Sequence, residues 1–410
     1  MNKRCSEKNN LPKSDKIEYN SIAKLRIQFR NTVEKTKFIE IDRCKLRIEG
    51  VPKLTKYLLI GSTKAYSGKS AIALGMALGL RGKGLAVAYG KPLGTCFSSP
   101  GAGTEEEDVR FAVETLKLSE SQMPSTLVYL DEETVHKRLR GEDKTDYHQS
   151  LGQYLQAPSP DLMLLEGPAN LEEGSLFDLS LAQVAEAIDA SVLLVARPID
   201  LYVDDLLSAK RRLGSRLLGV VLNDIPSDKL ESVTATVRPF LEAAGIPVLG
   251  MLPRSALLRS VSVKELVHQL KADVLCRRDR LDLMVETLTI GAMNVSSALK
   301  YFRKARNMAV VTGGDRTDIQ LAALESSTQC LILTGHLPPS PLVIGRAEEM
   351  EIPVLSVDLD TLTTVEIIDS TFGSVRLHEP IKVECVTQLM AEHFDLEGLM
   401  ASLDLGDRVH

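Results

Sequence analysis

The chain has 410 residues, of which 44% are hydrophobic and 25% charged, and its formal net charge is −6 at pH 7. This length exceeds what one hydrophobic core usually serves, so we expect a globular protein of two or three domains. The negative charge and the absence of Trp argue against a nucleic-acid-binding protein, which needs basic surface and aromatic stacking platforms.

The cysteine and hydropathy patterns are typical of a cytoplasmic protein. The six cysteines are widely spaced and form no CxxC pair, as is usual for reduced thiols. No apolar run reaches 18 residues and the N-terminus has no apolar stretch, so we expect neither a membrane span nor a secretory signal. Residues 1–50 are polar without a sustained period, which predicts a poorly ordered extension or, alternatively, a basic partner-binding arm.

From Tyr57 onward, short aliphatic runs alternate with helical periods such as 70–80 and 108–118. The runs are almost uniformly apolar, which predicts strands covered by helices on both faces. They are YLLIG (57–61), LAVAYG (85–90), TLVYLD (126–131), LMLLEG (162–167), VLLVARP (192–198), LGVVLND (218–224) and IPVLGML (246–252). This alternation predicts an α/β domain over residues 51–260 with a doubly wound, mostly parallel sheet.

A second, smaller α/β domain is predicted over residues 261–385. Its predicted strands are MAVVTGG (308–314), CLILTGH (330–336), PVLSVD (353–358) and SVRLHEP (374–380). We expect residues 386–410 to form a C-terminal tail, in which the acidic and apolar segment after His393 forms one helix with a frayed end.

The segment GSTKAYSGKS (61–70) joins the first predicted strand to a helix. Small residues there let backbone N–H groups point at an anion, and the helix adds its positive end. Lys69 would then contact the β- and γ-phosphates of a nucleotide, and the Ser70 hydroxyl would bind Mg²⁺. The usual first glycine is replaced by Thr63, so a simple Gly-Lys turn is the alternative.

These residues and the following YGKPLGT (89–95) resemble dethiobiotin synthetases, in which a Thr also stands at the position of Thr63. They resemble even more the dethiobiotin-synthetase-like N-terminal domain of long phosphotransacetylases. The resemblance covers about residues 55–260, and its further motifs are EEEDVRF (105–111), LLEGPAN (164–170), VVLNDIP (220–226) and LGMLPRSALL (249–258). It implies a P-loop fold that binds ATP and Mg²⁺.

The resemblance also implies roles for individual side chains. The implied nucleotide contacts are Thr63, Ser67, Gly68, Lys69, Ser70, Asn223 and Pro253, with Asn223 on the adenine. The implied metal ligands are Ser70, Asp108 and Glu166, and the implied catalytic residues are Lys69, Lys91 and Glu166. Glu166 also ends an apolar strand, where carboxylates of open α/β sheets meet ligands. From the residues alone, Lys91 could also be a solvated lysine at the end of a strand, and Asn223 could also be an ordinary turn residue.

VTGGDRTDIQLAALE (311–325) resembles the signature of the DRTGG domain, although its glycines come before the Asp. The flexible backbone at Gly313 and Gly314, followed by Asp315, Arg316 and Thr317, would suit a phosphorylated or nucleotide effector, or a subunit contact. Alternatively, these residues form a glycine turn with a surface Asp–Arg pair, or Asp315 caps the next helix. We therefore predict a regulatory or oligomerisation domain and a homo-oligomer.

The leading functional interpretation is an ATP- and Mg²⁺-binding regulatory protein whose hydrolysis is slow or stimulated by a partner. In phosphotransacetylases an acetyl-transfer domain follows the DRTGG domain, so we expect no acetyl transfer by this sequence on its own. One alternative is an ATP-dependent ligase or kinase of the dethiobiotin synthetase or cobyrinic acid a,c-diamide synthase type, acting on an unknown carboxylic acid. The other is an interaction protein with a degenerate loop. Neither nucleic acid nor membrane is expected as a partner.

Overall fold

In a computed structural model of the chain, the described residues are 55–95, 106–119, 122–155, 160–197, 203–373, 377 and 379–406. The chain divides into the units Met1–Leu54 and Thr55–His410, and all described residues belong to the second unit. The predicted N-terminal extension, residues 1–50, lies outside the described residues.

The first domain is a parallel sheet with helices on both faces, as the uniformly apolar runs predicted. Its strands are β1 (Lys56–Ser62), β2 (Val87–Gly90), β3 (Leu93–Gly94), β4 (Val128–Tyr129), β5 (Leu162–Glu166), β6 (Ser191–Ala196), β7 (Leu217–Ile225) and β8 (Val248–Pro253). Its helices are α1 (Lys69–Gly82), α2 (Glu107–Leu116), α3 (Glu132–Leu139), α4 (Tyr147–Ser150), α5 (Leu181–Ala187), α6 (Val203–Leu213), α7 (Leu230–Ser232), α8 (Arg238–Ala243) and α9 (Ala256–Arg259).

The strand order of the main sheet is β2-β5-β1-β6-β7-β8, and every pair is parallel. The chain leaves β1 towards β2 on one side and later adds β6, β7 and β8 on the other side. Such a reversal of strand order opens a crevice beyond the carboxyl ends of the central strands. The topology therefore places a ligand crevice at the ends of β1 and β5, next to residues 61–70.

The predicted strand at 126–131 is only partly formed. Val128 and Tyr129 alone are extended, and they pair with β3 outside the main sheet. Leu127 and Leu130 pack against the same hydrophobic core as β5 and β6. An apolar run predicts burial, but burial here comes from packing on the core rather than from a place in the sheet.

The second domain is a mixed sheet between two helical layers. Its strands are β9 (Val261–Ser262), β10 (Asp273–Cys276), β11 (Met284–Val285), β12 (Thr287–Ile290), β13 (Met308–Gly313), β14 (Thr328–Thr334) and β15 (Val354–Ser356). Its helices are α10 (Val263–Leu270), α11 (Val295–Phe302), α12 (Thr317–Leu324), α13 (Pro341–Glu349) and α14 (Thr361–Gly373). The sheet order is β10-β15-β14-β13-β12, with only β10 antiparallel to its neighbour.

One face of the second sheet packs on α11, α12 and α13, and the other packs on α10 and α14. Strands β10 and β12 were not predicted, because each has only four residues and includes at least one polar residue, so neither forms a sustained apolar run. Most of the predicted strand 374–380 lies outside the described residues, and its last residue, Pro380, begins a helix. Within the described part of the chain, no helix is both long and apolar enough to cross a membrane.

The last two helices return to the first domain. They are α15 (Pro380–His393) and α16 (Leu396–Ser402), and their buried residues share a hydrophobic core with α1. The Asp395 N–H donates to the Leu249 carbonyl at 2.7 Å, which ties this segment to β8. Residues of the predicted C-terminal tail are thus part of the first domain's core, although the domain boundaries drawn from the sequence stay predictions.

Close approach of α15 to α1 depends on a glycine. A Cβ atom on Gly75 would lie 2.8 Å from Met390 Cγ, so Gly75→Val overpacks this contact. We expect the free energy of unfolding to fall by about 1–3 kcal/mol, measured by denaturant titration. Gly82→Ala, in the same helix with no atom within 4 Å of its new methyl group, serves as the control and should not destabilise. If Gly75→Val and the unmodified protein have the same free energy of unfolding, the contact between α1 and α15 does not require a glycine at this position.

Candidate functional site

The loop 61–70 joins β1 to α1 and depends on two glycines. At Gly61, a Cβ atom would lie 2.5 Å from the Leu181 side chain. Gly68 has a left-handed φ of 89°, and a Cβ there would lie 2.2 Å from Asn223 Nδ2. No side chain caps the start of α1, so the first turn presents its backbone N–H groups to a ligand.

Glu166 ends β5 beside this loop, because the register of the sheet pairs it with Ile60 of β1. Its carboxylate is buried and accepts a hydrogen bond from the Ser70 hydroxyl at 2.8 Å. Lys69 Nζ lies 3.5 Å from the same oxygen, and the Tyr89 hydroxyl donates to the other oxygen at 2.7 Å. Burial, and then the charge of Glu166, raise the pKa of Tyr89, so the phenol stays a donor.

Lys91 follows β2 and is 4% exposed. Its ammonium pairs with Asp108 Oδ2 at 2.7 Å and with Glu106 Oε1. Burial alone would lower the pKa of Lys91, but the charges of Glu166, Asp108 and Glu106 together raise it above its usual value. Lys91 therefore remains protonated, and the alternative of a solvated strand-end lysine is wrong.

Glu106 is a site residue that the sequence did not identify. Its second carboxylate oxygen accepts from the backbone N–H groups of Asp108 and Val109, so it caps α2. Burial raises its pKa, against the lowering effect of Lys91. The run EEED contains it, but only the fold shows which carboxylate of that run points inward.

These side chains line one cavity of about 380 Å³, a size typical of small-molecule sites. Of the predicted residues, those that line it are Ser67, Gly68, Lys69, Ser70, Lys91, Asp108, Glu166, Asn223 and Pro253. Among the described residues, Thr63 is the predicted contact that does not line the cavity. Asn223 Nδ2 donates to the Ser67 carbonyl at 2.9 Å, and the buried Ser67 hydroxyl has no hydrogen-bond partner in the described structure.

An arginine cluster that the sequence did not reveal lies at the Asn223 end of the cavity. The Asp224 carboxylate lies 2.6 Å from Arg197, 3.0 Å from Arg254 and 3.5 Å from Arg259. Three guanidinium groups around one carboxylate leave this end positively charged, and Arg197 and Arg259 line the cavity. Arg197 follows β6, Arg254 follows β8 and Arg259 ends α9, so no local motif could have predicted the cluster.

The donor set fits Mg²⁺ together with a nucleotide better than Mg²⁺ alone. In the described residues, no group of three or more His, Cys, Asp or Glu could hold a metal. Mg²⁺ usually keeps several waters and binds one or two carboxylates plus phosphate oxygens. The Ser70 hydroxyl, with Asp108 and Glu166 on the same cavity wall, supplies that smaller set.

The TGGDR segment of the second domain is largely engaged within its own fold. Arg316 donates to the Met293 carbonyl at 2.8 Å and lies 3.5 Å from Asp318. Asp315 does not cap α12, because Arg316 occupies the N-cap position and no side-chain cap bond is present. The fully buried Gln320 donates to the Gly313 carbonyl, while its amide oxygen has no partner in the described structure.

Fold and cavity together define a P-loop α/β protein with an appended α/β domain. The family model of an AAA domain matches residues 56–262, which are 207 of the 410 residues, and the chain belongs to this family. The model of the DRTGG domain matches residues 265–371. The predicted domain order and the predicted α/β fold class are thus confirmed.

The curated relatives that match most of the chain are phosphate acetyltransferases. That of Synechocystis sp. is 24% identical over 365 residues, covering 85% of this chain and 52% of the relative. That of Nitratidesulfovibrio vulgaris is 24% identical over 377 residues, covering 87% and 52%. The chain therefore spans about half the length of these relatives. Among solved structures, the MinD cell division protein of Aquifex aeolicus is a distant likeness, with 15% identity, coverage of 49% and 83%, and a TM-score of 0.32.

The hydrogen bond from Tyr89 to Glu166 should stabilise the site. Tyr89→Phe removes a donor to a buried carboxylate, so we expect the free energy of unfolding to fall by about 1.5–3 kcal/mol. The fold should persist because Ser70 and Lys69 still contact Glu166. Tyr301→Phe, at a side chain 58% exposed, is the matched control with little expected effect. If both variants unfold at the same denaturant concentration, the Tyr89 bond contributes no stability.

Proposed function

We propose that the first domain binds ATP with Mg²⁺ and that the second domain regulates this binding. The observation that carries the proposal is the convergence of Lys69, Ser70 and Glu166 at the carboxyl ends of β1 and β5. An ammonium, a hydroxyl and a carboxylate beside a glycine-containing helix start are the groups that a Mg²⁺-bound triphosphate requires.

The phosphates lie along loop 61–70 in this proposal. Backbone N–H groups of Gly68 and the first turn of α1 donate to phosphate oxygens, and the unpartnered Ser67 hydroxyl adds a donor. Lys69 turns from Glu166 to the β- and γ-phosphates, a short movement from its present 3.5 Å contact. Ser70, Asp108 and Glu166 hold Mg²⁺, which neutralises phosphate charge when it is bound.

The base lies beside the Ser67–Gly68 part of the loop, between Asn223 and Pro253. Because Asn223 Nδ2 is engaged with the Ser67 carbonyl, its amide oxygen is the group left to accept a hydrogen bond from the base. The exocyclic amine of adenine is a donor of this kind, and ATP is the nucleotide that the sequence resemblance implies. The positive cluster around Asp224 adds favourable charge near the anionic nucleotide.

A regulatory role fits the site better than a ligase or kinase role. A ligase needs a free cation to bind the anionic second substrate, and Lys91 is the lysine that the resemblance assigns to it. In this structure the Lys91 ammonium is enclosed by Glu106 and Asp108. We therefore propose slow or partner-stimulated hydrolysis in a cytoplasmic protein, without a dedicated second substrate.

The second domain is proposed to sense a phosphorylated or nucleotide effector at Gly313–Thr317 and to support a homo-oligomer. Helix α12 starts there without a side-chain cap, and Arg316 adds positive charge. Phe372, near the end of α14, lines the nucleotide cavity, while α14 also packs against the sheet that carries Gly313. A movement of α14 would connect the two sites.

Lys69→Ala should weaken ATP binding at the first domain by at least about 100-fold, measured by calorimetry with Mg²⁺, because it removes a charge-assisted contact to the phosphates. The control Lys300→Ala, an exposed lysine of the second domain, should bind like the unmodified protein. Absence of ATP binding by the unmodified protein with Mg²⁺ present would contradict the proposed function.

The effector site can be tested separately in the Lys69→Ala background, in which the first domain no longer binds nucleotide. We expect residual nucleotide binding at the second domain, weakened at least about tenfold by Arg316→Gln, which removes a guanidinium donor to phosphate. Arg303→Gln, an exposed arginine of the same domain, is the matched control. If no nucleotide binds to Lys69→Ala at any concentration tested, Gly313–Thr317 is not a nucleotide site.

A further inference from the structure

We propose that Glu106 is the permanent partner of Lys91 and thereby releases Asp108 to bind the Mg²⁺ of the nucleotide. Glu106 is thus a positioning residue, which acts through Lys91 and Asp108 rather than by contact with the ligand. This inference rests on the proposed ATP and Mg²⁺ site.

The two carboxylates that hold Lys91 differ in their access to the cavity. The Glu106 side chain is 0% exposed and does not line the cavity, whereas Asp108 is 15% exposed and does. Glu106 therefore lies behind Lys91, whereas Lys91 and Asp108 both face the cavity. A ligand entering the cavity can contact Asp108 but not Glu106.

Glu106 is fixed in place by the backbone on both sides. One oxygen contacts Lys91 and lies 3.4 Å from the Thr95 N–H, and the other accepts from the N–H groups of Asp108 at 2.9 Å and Val109 at 3.3 Å. The same carboxylate thus connects the segment after β2 to the first turn of α2. This arrangement keeps Asp108 close to Lys91 without making Asp108 the only support of Lys91.

In this structure, each proposed carboxylate ligand of the metal contacts a lysine. Lys69 lies beside Glu166, and Lys91 lies beside Asp108. When Mg²⁺ and nucleotide bind, Lys69 would transfer to the phosphates, whereas the Lys91 ammonium, whose side chain is 5% exposed, would keep its contact with Glu106. Removing the sole partner of a buried ammonium is strongly unfavourable. Because Glu106 stays with Lys91, Asp108 can exchange Lys91 for Mg²⁺ without leaving a buried charge unpaired.

The test compares ATP affinity with and without Mg²⁺ by calorimetry. Glu106→Gln keeps the size of the side chain and an oxygen that can cap α2, but it removes the negative charge. Lys91 then depends on Asp108 alone, so we expect the gain in ATP affinity from Mg²⁺ to fall at least about tenfold. Glu114→Gln, an exposed carboxylate on the same helix, should keep the full gain.

A second variant separates this role from a purely structural one. In the double variant that combines Glu106→Gln with Lys91→Met, no lysine competes for Asp108. The gain in ATP affinity from Mg²⁺ should therefore be within about threefold of the gain measured for Lys91→Met alone. A structural defect at Glu106 would not be rescued by removing Lys91. If Glu106→Gln alone fails to fold, the comparison of the double variant with Lys91→Met still tests whether Glu106 acts through Lys91.

The outcomes distinguish this inference from the proposed function. If the unmodified protein binds ATP more tightly with Mg²⁺ and Glu106→Gln keeps the same gain, Glu106 has no such role, while the proposed function stands. The inference is also overturned if Mg²⁺ raises the ATP affinity of the double variant by less than it raises that of Lys91→Met alone. If the unmodified protein binds no ATP, the proposed function is contradicted, and this inference, which rests on it, is contradicted as well.

Discussion

The buried carboxylate of Glu166 is the interaction on which the site depends. A charge without partners is costly in a protein interior, so Glu166 must be surrounded by donors. It obtains them from Ser70 and Lys69 at the start of α1 and from Tyr89 in β2. These contacts hold the loop between β1 and α1 against the end of β5. The parallel register that pairs Glu166 with Ile60 makes this arrangement possible.

The two ends of the cavity differ in charge. Near Lys91, two lysines are outnumbered by the three carboxylates of Glu106, Asp108 and Glu166. Near Asn223, three arginines surround the single carboxylate of Asp224. The carboxylates at the first end favour a cation, and the arginines at the second end add a positive potential that favours an anionic ligand as a whole. Most charges are already paired, so binding exchanges partners rather than creating isolated charges.

The order of domains along the chain links the second domain to this cavity. The first domain is completed by α15 and α16, which follow the second domain in sequence and pack on α1. The segments entering and leaving the second domain both reach the cavity, through Arg259 at the end of α9 and Leu377 before α15. A displacement of the second domain would therefore be felt at the cavity, as the proposed regulatory role requires.

The sequence by itself determined the elements whose signal is local: the buried strands of the first sheet, the loop 61–70, and the α/β class of both domains. It did so because backbone conformation and burial follow from neighbouring residues. Tertiary structure alone decided that Glu106 faces Lys91, that three arginines meet at Asp224, and that α15 packs on α1. These contacts join residues far apart in sequence or depend on which side of a helix points inward. Ion pairs and close contacts form only where the folded chain brings these residues together, and a local sequence pattern does not contain that information.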